Sequence, residues 1–309
     1  MIKGDAVRKV DTLKSVVLFV MLFFQVLYAG PLITKDKGVE GSVSEVYKTI
    51  GDVKLKMHIF YPEDHKPTDR RPAIVFFFGG GWKGGSVGQF GNQSRYLASR
   101  GMVAMCAEYR TQNRHKTTPF ECVIDGKSAV RWARKNAERL GVDPKKIAAG
   151  GGSAGGHVAA AAGTLKGLED KSDDLSVSSK PNALVLFNPV FDNGPEGYGY
   201  ERVKDRYKEI SPIHNISKGS PPTIIFLGSR DKHIPVATAE RYKKLMEEKS
   251  SRCELRVYEG QKHGFFNLHK SSCEPKYFYL TVIETDQFLQ SLGYLEGEPT
   301  LAVPKNNPS

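Results

Sequence analysis

The feature that most constrains the fold of this chain is a series of short apolar segments that alternate with amphipathic ones. Residues 73–78, Ala-Ile-Val-Phe-Phe-Phe, are apolar without interruption, which is typical of a strand buried on both faces of a parallel sheet. The alternation continues along the chain and predicts βαβ units. Further strands are predicted at 102–108, 146–149, 183–187, 223–227 and 255–258, with helices at 93–100, 120–140, 155–165, 236–248 and 276–292.

Two other segments complete the predicted architecture. Residues 45–50 and 53–61 alternate apolar and polar side chains on either side of Gly51-Asp52, a pattern typical of a hairpin. The fold class is therefore α/β, with an about eight-stranded, mostly parallel sheet and helices on both faces. Residues 191–219 break the rhythm and indicate a small insertion over the carboxyl edge of the sheet. This insertion is either a partial lid or an ordinary surface connection.

Composition favours one folded catalytic domain, residues 30–295, followed by a flexible tail at 296–309. Hydrophobic residues make up 39% of the chain and charged residues 26%, as in soluble globular proteins. The net charge of +11 is compatible with an anionic partner, but no zinc-finger spacing, arginine-rich arm or basic stripe with aromatic residues accompanies it. We therefore expect no nucleic-acid partner and place the lysines on solvated helix faces.

The first 29 residues have the layout of a secretory signal peptide. Four basic residues precede an apolar run at 15–29 that ends at Ala29, which is the expected order of charge, apolar segment and small residue. The run is shorter than the ~20 apolar residues that a spanning helix needs, so we favour cleavage over a permanent signal anchor. The mature protein is expected to be secreted or periplasmic, without stable membrane insertion after signal removal.

The cysteines are too few for a disulfide scaffold. Cys253 and Cys273 flank the segment that carries His263, so a bridge between them is one candidate brace for that loop. Cys106 lies in an apolar run, which indicates a buried free thiol. The spacing of the cysteines, which include Cys122, matches no metal site, and we expect no bound metal.

The strongest chemical signal is Gly-Gly-Ser-Ala-Gly at 151–155, directly after one predicted strand and before a predicted helix. A GxSxG turn places Ser153 at a sharp bend, where the neighbours are glycine because a Cβ would collide with the adjoining strand or helix. The helix amino terminus then offers N–H groups to developing negative charge. No lysine completes a phosphate-binding loop, and the mid-chain position argues against a dinucleotide site. Ser153 is the predicted nucleophile.

Three consecutive glycines, Gly79, Gly80 and Gly81, follow the first buried strand. Successive glycines let the backbone curl and present N–H groups to a reacting oxygen, so this loop is predicted to form an oxyanion hole. The alternative is a flexible loop without chemistry. The position of the glycines at the carboxyl end of a strand, upstream of Ser153, favours an oxyanion hole.

Asp231 and His263 follow Ser153 in the order acid then histidine, each just past a predicted strand, as hydrolases with a GxSxG elbow require. His263 would take the serine proton and pass it to the leaving alcohol, while Asp231 fixes the histidine tautomer. His157 lies in the helix after the serine and is interpreted as a packing or hydrogen-bonding residue. His233 is too close to the acid in sequence to replace the base.

Together these segments resemble the hormone-sensitive-lipase-like and acetyl-esterase branch of the α/β-hydrolases over residues 45–293. The resemblance rests on FGGGW at 78–82, GGSAGG at 151–156, SRDKHIP at 229–235 and QKHGF at 261–265. Many members of that branch have histidine before the three glycines, where this chain has Phe78. The loop must therefore be held in another way, with packing of Phe78 and Trp82 as one candidate.

The resemblance implies hydrolysis of short acyl esters, above all acetyl esters, without a metal or organic cofactor. For an exported member, esterified polysaccharides are plausible substrates alongside small molecules. The resemblance also implies the roles of individual residues. Ser153, Asp231 and His263 would form the triad, the backbone amides of Gly80, Gly81 and Ala154 the oxyanion hole, and Trp82 would bind substrate.

Two other functions remain as alternatives. An exopeptidase of the same fold would use the same triad, but it would need an anionic anchor for the amino terminus of its substrate. A non-catalytic binding protein on a hydrolase scaffold would usually show a damaged triad, whereas this triad is complete in sequence.

Overall fold

The computed structural model of the protein describes residues 39–268, 270 and 272–304. The predicted signal peptide at 1–29 and the end of the predicted tail lie outside these residues. Within the described part of the chain, no helix is long and apolar enough to cross a membrane.

A single eight-stranded sheet forms the centre of the domain. Its strands are β1 (Val43–Ile50), β2 (Val53–Phe60), β3 (Arg71–Phe77), β4 (Val103–Ala107), β5 (Val142–Gly152), β6 (Ala183–Phe187), β7 (Thr223–Gly228) and β8 (Cys253–Tyr258). They lie in the order β1-β2-β4-β3-β5-β6-β7-β8. β1 and β2 form the predicted antiparallel hairpin, β2 pairs antiparallel with β4, and the other pairs are parallel. The predicted mostly parallel sheet is confirmed.

Helices cover both faces of this sheet. They are α1 (Gly91–Ser99), α2 (Gln112–His115), α3 (Pro119–Lys135), α4 (Ala154–Thr164), α5 (Tyr200–Val203), α6 (Val236–Glu248) and α7 (Pro275–Ser291). Side chains alternate along β3, so Ala73, Val75 and Phe77 join one core with α3, α4 and α6. Ile74 and Phe76 join a second core with α1 and α7 on the other face. Burial of each large apolar side chain contributes about 1.5–3 kcal/mol, which explains why residues 73–77 of β3 are all apolar.

The predicted insertion, residues 191–219, contains α5 and two short 3-10 turns, Lys204–Glu209 and Pro212–His214. Its first residue, Phe191, accepts a hydrogen bond at 3.0 Å through its carbonyl from the N–H of Ile213, in the second 3-10 turn. The insertion contributes Tyr198 to the cavity described below. It therefore lies beside the carboxyl edge of the sheet, as the sequence predicts.

The first residues of the predicted tail lie against the domain. Arg100 Nη2 donates to the Glu296 carbonyl at 2.9 Å and to the Gly297 carbonyl at 2.6 Å, and Leu301 packs against the core. The described part of this tail is therefore attached to the domain.

All four cysteines are free thiols. Cys253 is buried at the start of β8, whereas the Cys273 thiol donates to the Gly264 carbonyl at 3.2 Å. The candidate bridge between them is therefore wrong, because the two side chains have different partners. Cys106 is buried and free, as predicted, and burial raises the pKa of its thiol to about 12.

Candidate active site

Ser153 stands at the bend between β5 and α4. Its backbone has φ 54° and ψ −116°, a conformation with positive φ that residues other than glycine rarely adopt. The bend is tight: a Cβ on Gly155 would lie 2.1 Å from the Phe77 carbonyl oxygen, and one on Gly151 would lie 2.6 Å from it. These contacts explain the glycines of the GxSxG motif, because any larger residue would displace β3.

Ser153, His263 and Asp231 form a continuous hydrogen-bonded chain. The Ser153 Oγ lies 3.0 Å from His263 Nε2, and His263 Nδ1 lies 2.7 Å from Asp231 Oδ2. Asp231 follows β7 and His263 follows β8, so the carboxyl ends of three strands hold the three side chains at one edge of the sheet. The structure thus brings together the three residues that the sequence assigns to one site.

The Asp231 carboxylate is completely buried and fully used in hydrogen bonds. Oδ2 bonds His263, while Oδ1 accepts the backbone N–H groups of His233 (2.8 Å) and Ile234 (3.0 Å). Burial by itself would raise the pKa of Asp231, but the hydrogen bonds from His263 and the backbone outweigh it and lower the pKa. The carboxylate therefore stays ionised and holds a proton on His263 Nδ1, which leaves the Nε2 lone pair facing the serine.

The three glycines after β3 lie beside Ser153 and line the same cavity. A Cβ on Gly79 would lie 2.9 Å from the Gly152 carbonyl oxygen and 3.4 Å from the Ser153 Cβ, so glycine permits this approach. Gly80 and Gly81 have φ values of +132° and +60°. Among the described residues, no acceptor takes the N–H of Gly80 or Gly81. Both donors are therefore available to a ligand in the cavity.

Tyr109 and Gln89 hold this loop where the related branch has a histidine. The Phe78 ring stacks on Tyr109 at 4.2 Å between centroids, and the Tyr109 hydroxyl donates to the Phe78 carbonyl at 2.6 Å. The Gly79 N–H donates to Gln89 Oε1 at 2.6 Å. Packing of Phe78 is thus part of the brace, as expected, but the two hydrogen bonds were not predicted.

Trp82 does not lie on the cavity wall, contrary to its predicted role in substrate binding. Its side chain is 1% exposed and meets the edge of His157 at 5.0 Å and the tilted ring of Tyr198 at 5.8 Å. The backbone φ at Trp82 is 58°, and its indole belongs to the buried core on the α3–α4 face of the sheet. The ring supports the loop from behind.

His157 is the neutral partner of that indole. Its Nε2 contacts the side-chain oxygen of Asn193 at 3.0 Å and the carbonyl oxygen of Ile210 at 3.1 Å, and its buried Nδ1 has no partner within the described chain. Since both partners of Nε2 are acceptors, Nε2 carries the proton. Complete burial lowers the pKa of His157 from 6.5 to about 4. This residue has the structural role that the sequence suggests.

A second set of polar contacts joins the glycine loop to the segment that carries His263. Gln89 Nε2 donates to Asn267 Oδ1 at 3.0 Å, and Asn267 Nδ2 donates to the Gly264 carbonyl at 2.7 Å. The Gly264 N–H donates to Asn188 Oδ1 at 2.8 Å. No sequence motif marks Gln89, Asn188 or Asn267, because each acts through a contact between distant segments.

The cavity in front of Ser153 has a volume of about 730 Å³, which is the size of a small-molecule site. Its walls combine the glycine loop, amide side chains, His233, His263 and several basic side chains. Within the described residues, no group of three or more histidine, cysteine or acidic side chains is arranged to hold a metal ion. The polar groups converge on the serine hydroxyl, and the arrangement suits attack on a carbonyl carbon.

Two protein-family models match consecutive parts of the chain. The BD-FAE model matches residues 57–193, and the Dienelactone hydrolase family model matches residues 184–289. The first match contains the glycine loop and Ser153, and the second contains Asp231 and His263.

Solved structures decide the family. The apo form of esterase 2 from Thermogutta terrifontis is 45% identical, with a TM-score of 0.80, over 84% of this chain and 98% of that one. This chain belongs to the α/β-hydrolase carboxylesterases. The propionate-bound form of the same thermophilic esterase aligns at 44% identity, with a TM-score of 0.80, over 84% of this carboxylesterase and 97% of that chain.

Curated relatives are also esterases by name. Esterase LipC of Mycobacterium tuberculosis is 31% identical over 237 residues, which is 70% of this carboxylesterase and 58% of LipC. The acetylxylan esterase of Xylanibacter ruminicola is 28% identical over 230 residues, which is 69% of this chain and 44% of that enzyme. The chain thus spans about half the length of these curated relatives.

Proposed function

We propose that this protein is a serine carboxylesterase that hydrolyses short-chain acyl esters through an acyl-enzyme on Ser153. One observation carries the proposal: the unbroken hydrogen-bonded chain from the serine hydroxyl through His263 to the buried Asp231, at 3.0 and 2.7 Å. A hydroxyl is a weak nucleophile at neutral pH, and an adjacent base oriented by a third group is the usual means of activating it.

In the acylation step, the Ser153 oxygen attacks the ester carbonyl carbon while His263 Nε2 removes the hydroxyl proton. The Asp231 carboxylate stabilises the imidazolium that forms. His263 then gives this proton to the departing alcohol oxygen as the carbon–oxygen bond breaks, which leaves the acyl group on the serine. A water molecule repeats the sequence in the second half, with His263 again as base, and releases the carboxylic acid.

Backbone donors stabilise the negative oxygen of each tetrahedral intermediate. We assign this role to the N–H groups of Gly80, Gly81 and Ala154. The first two have no acceptor among the described residues, and Ala154 begins α4, where the helix dipole favours negative charge. Each such donor is worth about 3–4 kcal/mol in the transition state.

The acyl group is proposed to be short, with acetyl foremost. Propionate and butyrate are bound in structures of the Thermogutta enzyme, and one curated relative is an acetylxylan esterase. The signal-like segment at 1–29 supports export, and export with the acetylxylan relative supports an esterified polysaccharide as one substrate. An exopeptidase finds no support in the cavity, because its described lining includes no aspartate or glutamate to anchor an amino terminus.

The test is hydrolysis of p-nitrophenyl acetate by the purified protein, followed by a series of longer acyl chains. The wild-type protein should turn over the acetate, and Ser153→Ala should lower kcat by about 10⁴-fold or more. Ser99→Ala is the matched control, because this exposed serine lies outside the cavity. A folded wild-type protein without ester turnover would refute the proposal, and a rise in turnover towards long acyl chains would refute the short-chain assignment.

A further inference from the structure

The walls of the cavity in front of Ser153 carry charge of one sign. Among the described residues, no aspartate or glutamate lines the cavity. Four basic side chains do: Lys83, Arg95, Arg202 and Lys270. The Asp231 carboxylate is completely buried, and both its oxygens are engaged in hydrogen bonds. It pairs with His263, and among the described residues Lys83, Arg202 and Lys270 form no ion pair with a carboxylate.

Arg202 contacts the glycine loop directly. One of its N–H groups donates to the Gly81 carbonyl, and its guanidinium lies over the rings of Trp82 (5.4 Å) and Tyr198 (5.9 Å). These contacts fix the guanidinium plane against the glycine loop. In the described part of the chain, the Arg202 side chain has no ion pair and no further hydrogen bond. Since a guanidinium has five N–H donors, most of them have no protein acceptor among the described residues, and Arg202 lines the cavity.

Two lysines extend this charge away from Arg202. Lys270 Nζ donates to the His263 carbonyl at 3.3 Å, so a positive charge lies on the segment that carries the base. Lys83 is exposed at the end of the glycine loop, and no acidic partner for it lies within the described residues. Arg95 is held by Asn92 Oδ1 and the Glu40 carbonyl, at 3.2 and 2.8 Å. Positive charge thus reaches the cavity lining from the glycine loop, the segment that carries His263 and the insertion at 191–219.

We propose that this cavity binds esters that carry a carboxylate elsewhere in the molecule, with Arg202 as the main contact and Lys83 and Lys270 in support. This inference rests on the proposed esterase function and adds the substrate class to it. A guanidinium pairs with a carboxylate through two parallel hydrogen bonds. Walls of one charge sign also concentrate an oppositely charged substrate and raise its association rate by about 10–10³-fold.

The test compares phenyl acetates that differ only in the charge of the alcohol half. The substrates are 3-acetoxybenzoate (anionic), 3-acetoxybenzamide (neutral) and 3-acetoxy-N,N,N-trimethylanilinium (cationic). To correct for intrinsic reactivity, the kcat/KM of each ester is divided by the rate constant for alkaline hydrolysis of the same ester. A second arm places the charge in the acyl half, with 4-nitrophenyl hydrogen adipate against its methyl ester. We expect kcat/KM of the anionic ester to exceed that of its neutral partner about tenfold or more in at least one arm, with the cationic ester poorest.

Variants identify the groups responsible. Arg202→Gln should reduce the ratio of anionic to neutral kcat/KM about five- to twentyfold, and Lys83→Gln or Lys270→Gln about two- to fivefold each. The ratio separates charge recognition from any effect of Arg202 on the glycine loop, since loop damage lowers both rates. Lys54→Gln, an exposed lysine outside the cavity, removes the same charge and should leave the ratio unchanged.

Salt gives an independent readout. Raising ionic strength from roughly 0.01 M to roughly 0.5 M shortens the screening length from about 30 Å to a few Å, so the anionic preference should fall while the neutral rate stays constant. An enzyme that hydrolyses the neutral esters but treats anionic and neutral partners equally in both arms would overturn this inference and leave the esterase proposal intact. No turnover of any ester would instead refute the esterase proposal.

Discussion

Replacement of Gln89 by methionine tests whether the glycine loop is held in place by a side chain rather than by its own backbone. The change keeps the length of the side chain but removes the acceptor of the Gly79 N–H, a 2.6 Å hydrogen bond, and the donor to Asn267. Leaving a partly buried N–H without an acceptor costs about 1–3 kcal/mol. The loop can recover part of this by moving, and such a movement would displace the N–H groups of Gly80 and Gly81.

The expected kinetic effect follows from the cost of a lost oxyanion donor. Complete removal of one donor lowers kcat by about 10²–10³-fold, so displacement of the loop should lower kcat about 10–100-fold. KM should change by less than about threefold, because the interaction matters most in the transition state. The assay is steady-state hydrolysis of p-nitrophenyl acetate, with the melting temperature as a check on folding.

Asn267→Ala is the comparison variant, because it removes the acceptor of Gln89 Nε2 and the donor to the Gly264 carbonyl but leaves the Gly79 bond intact. It should lower kcat less than Gln89→Met, and the double variant should lose less transition-state free energy than the sum of the two single losses, because both remove the same Gln89–Asn267 hydrogen bond. Wild-type kcat in Gln89→Met would refute the reasoning. A rise in KM alone would show instead that Gln89 contacts the substrate.

Three further predictions concern single residues. Burial lowers the pKa of His157 from 6.5 to about 4, so below pH 6.5 the unfolded chain binds a proton that the folded chain does not. The contribution of the neutral His157 to the free energy of unfolding is therefore fully present above pH 6.5 and falls by about 3 kcal/mol as the pH drops to 4. In His157→Gln, the melting temperature should depend less on pH over this range. Asp231→Asn should lower kcat about 10³–10⁴-fold at unchanged fold, because the amide favours the wrong tautomer of His263; a loss below tenfold would exclude that role. Gly155→Ala should fail to fold or unfold at least 10 °C earlier by calorimetry, because the new Cβ would lie 2.1 Å from the Phe77 carbonyl oxygen.

The hydrogen-bonded chain was predictable from sequence because its signals are local. Ser153, Asp231 and His263 each follow a recognisable strand, and parallel strands bring their carboxyl ends to one edge. Gln89 and Asn267 carry no such signal, since the contact between them joins positions 178 residues apart. Trp82 shows the opposite case: it adjoins the glycine motif, but its ring is buried against His157 and Tyr198 and does not line the cavity.

Element boundaries differ most where tertiary pairing overrides local preference. The helix predicted at 120–140 ends at Lys135, and the strand predicted to begin at Lys146 begins at Val142. The Gly141 carbonyl accepts the Arg71 N–H at 2.8 Å, and the register of β3 and β5 shifts just after this contact. The early part of β5 therefore depends on its pairing with β3, which no local pattern in the sequence reveals.

The most direct test of the central claim, that His263 and Asp231 activate Ser153 as a nucleophile, is covalent labelling with a fluorophosphonate followed by intact-mass and peptide analysis. Such reagents react with activated serines in preference to ordinary hydroxyls. We predict one adduct per chain, on the peptide that contains Ser153, with none in Ser153→Ala and strongly slowed labelling in His263→Ala. A folded wild-type protein that takes no label, or that is labelled equally fast in His263→Ala, would contradict the account.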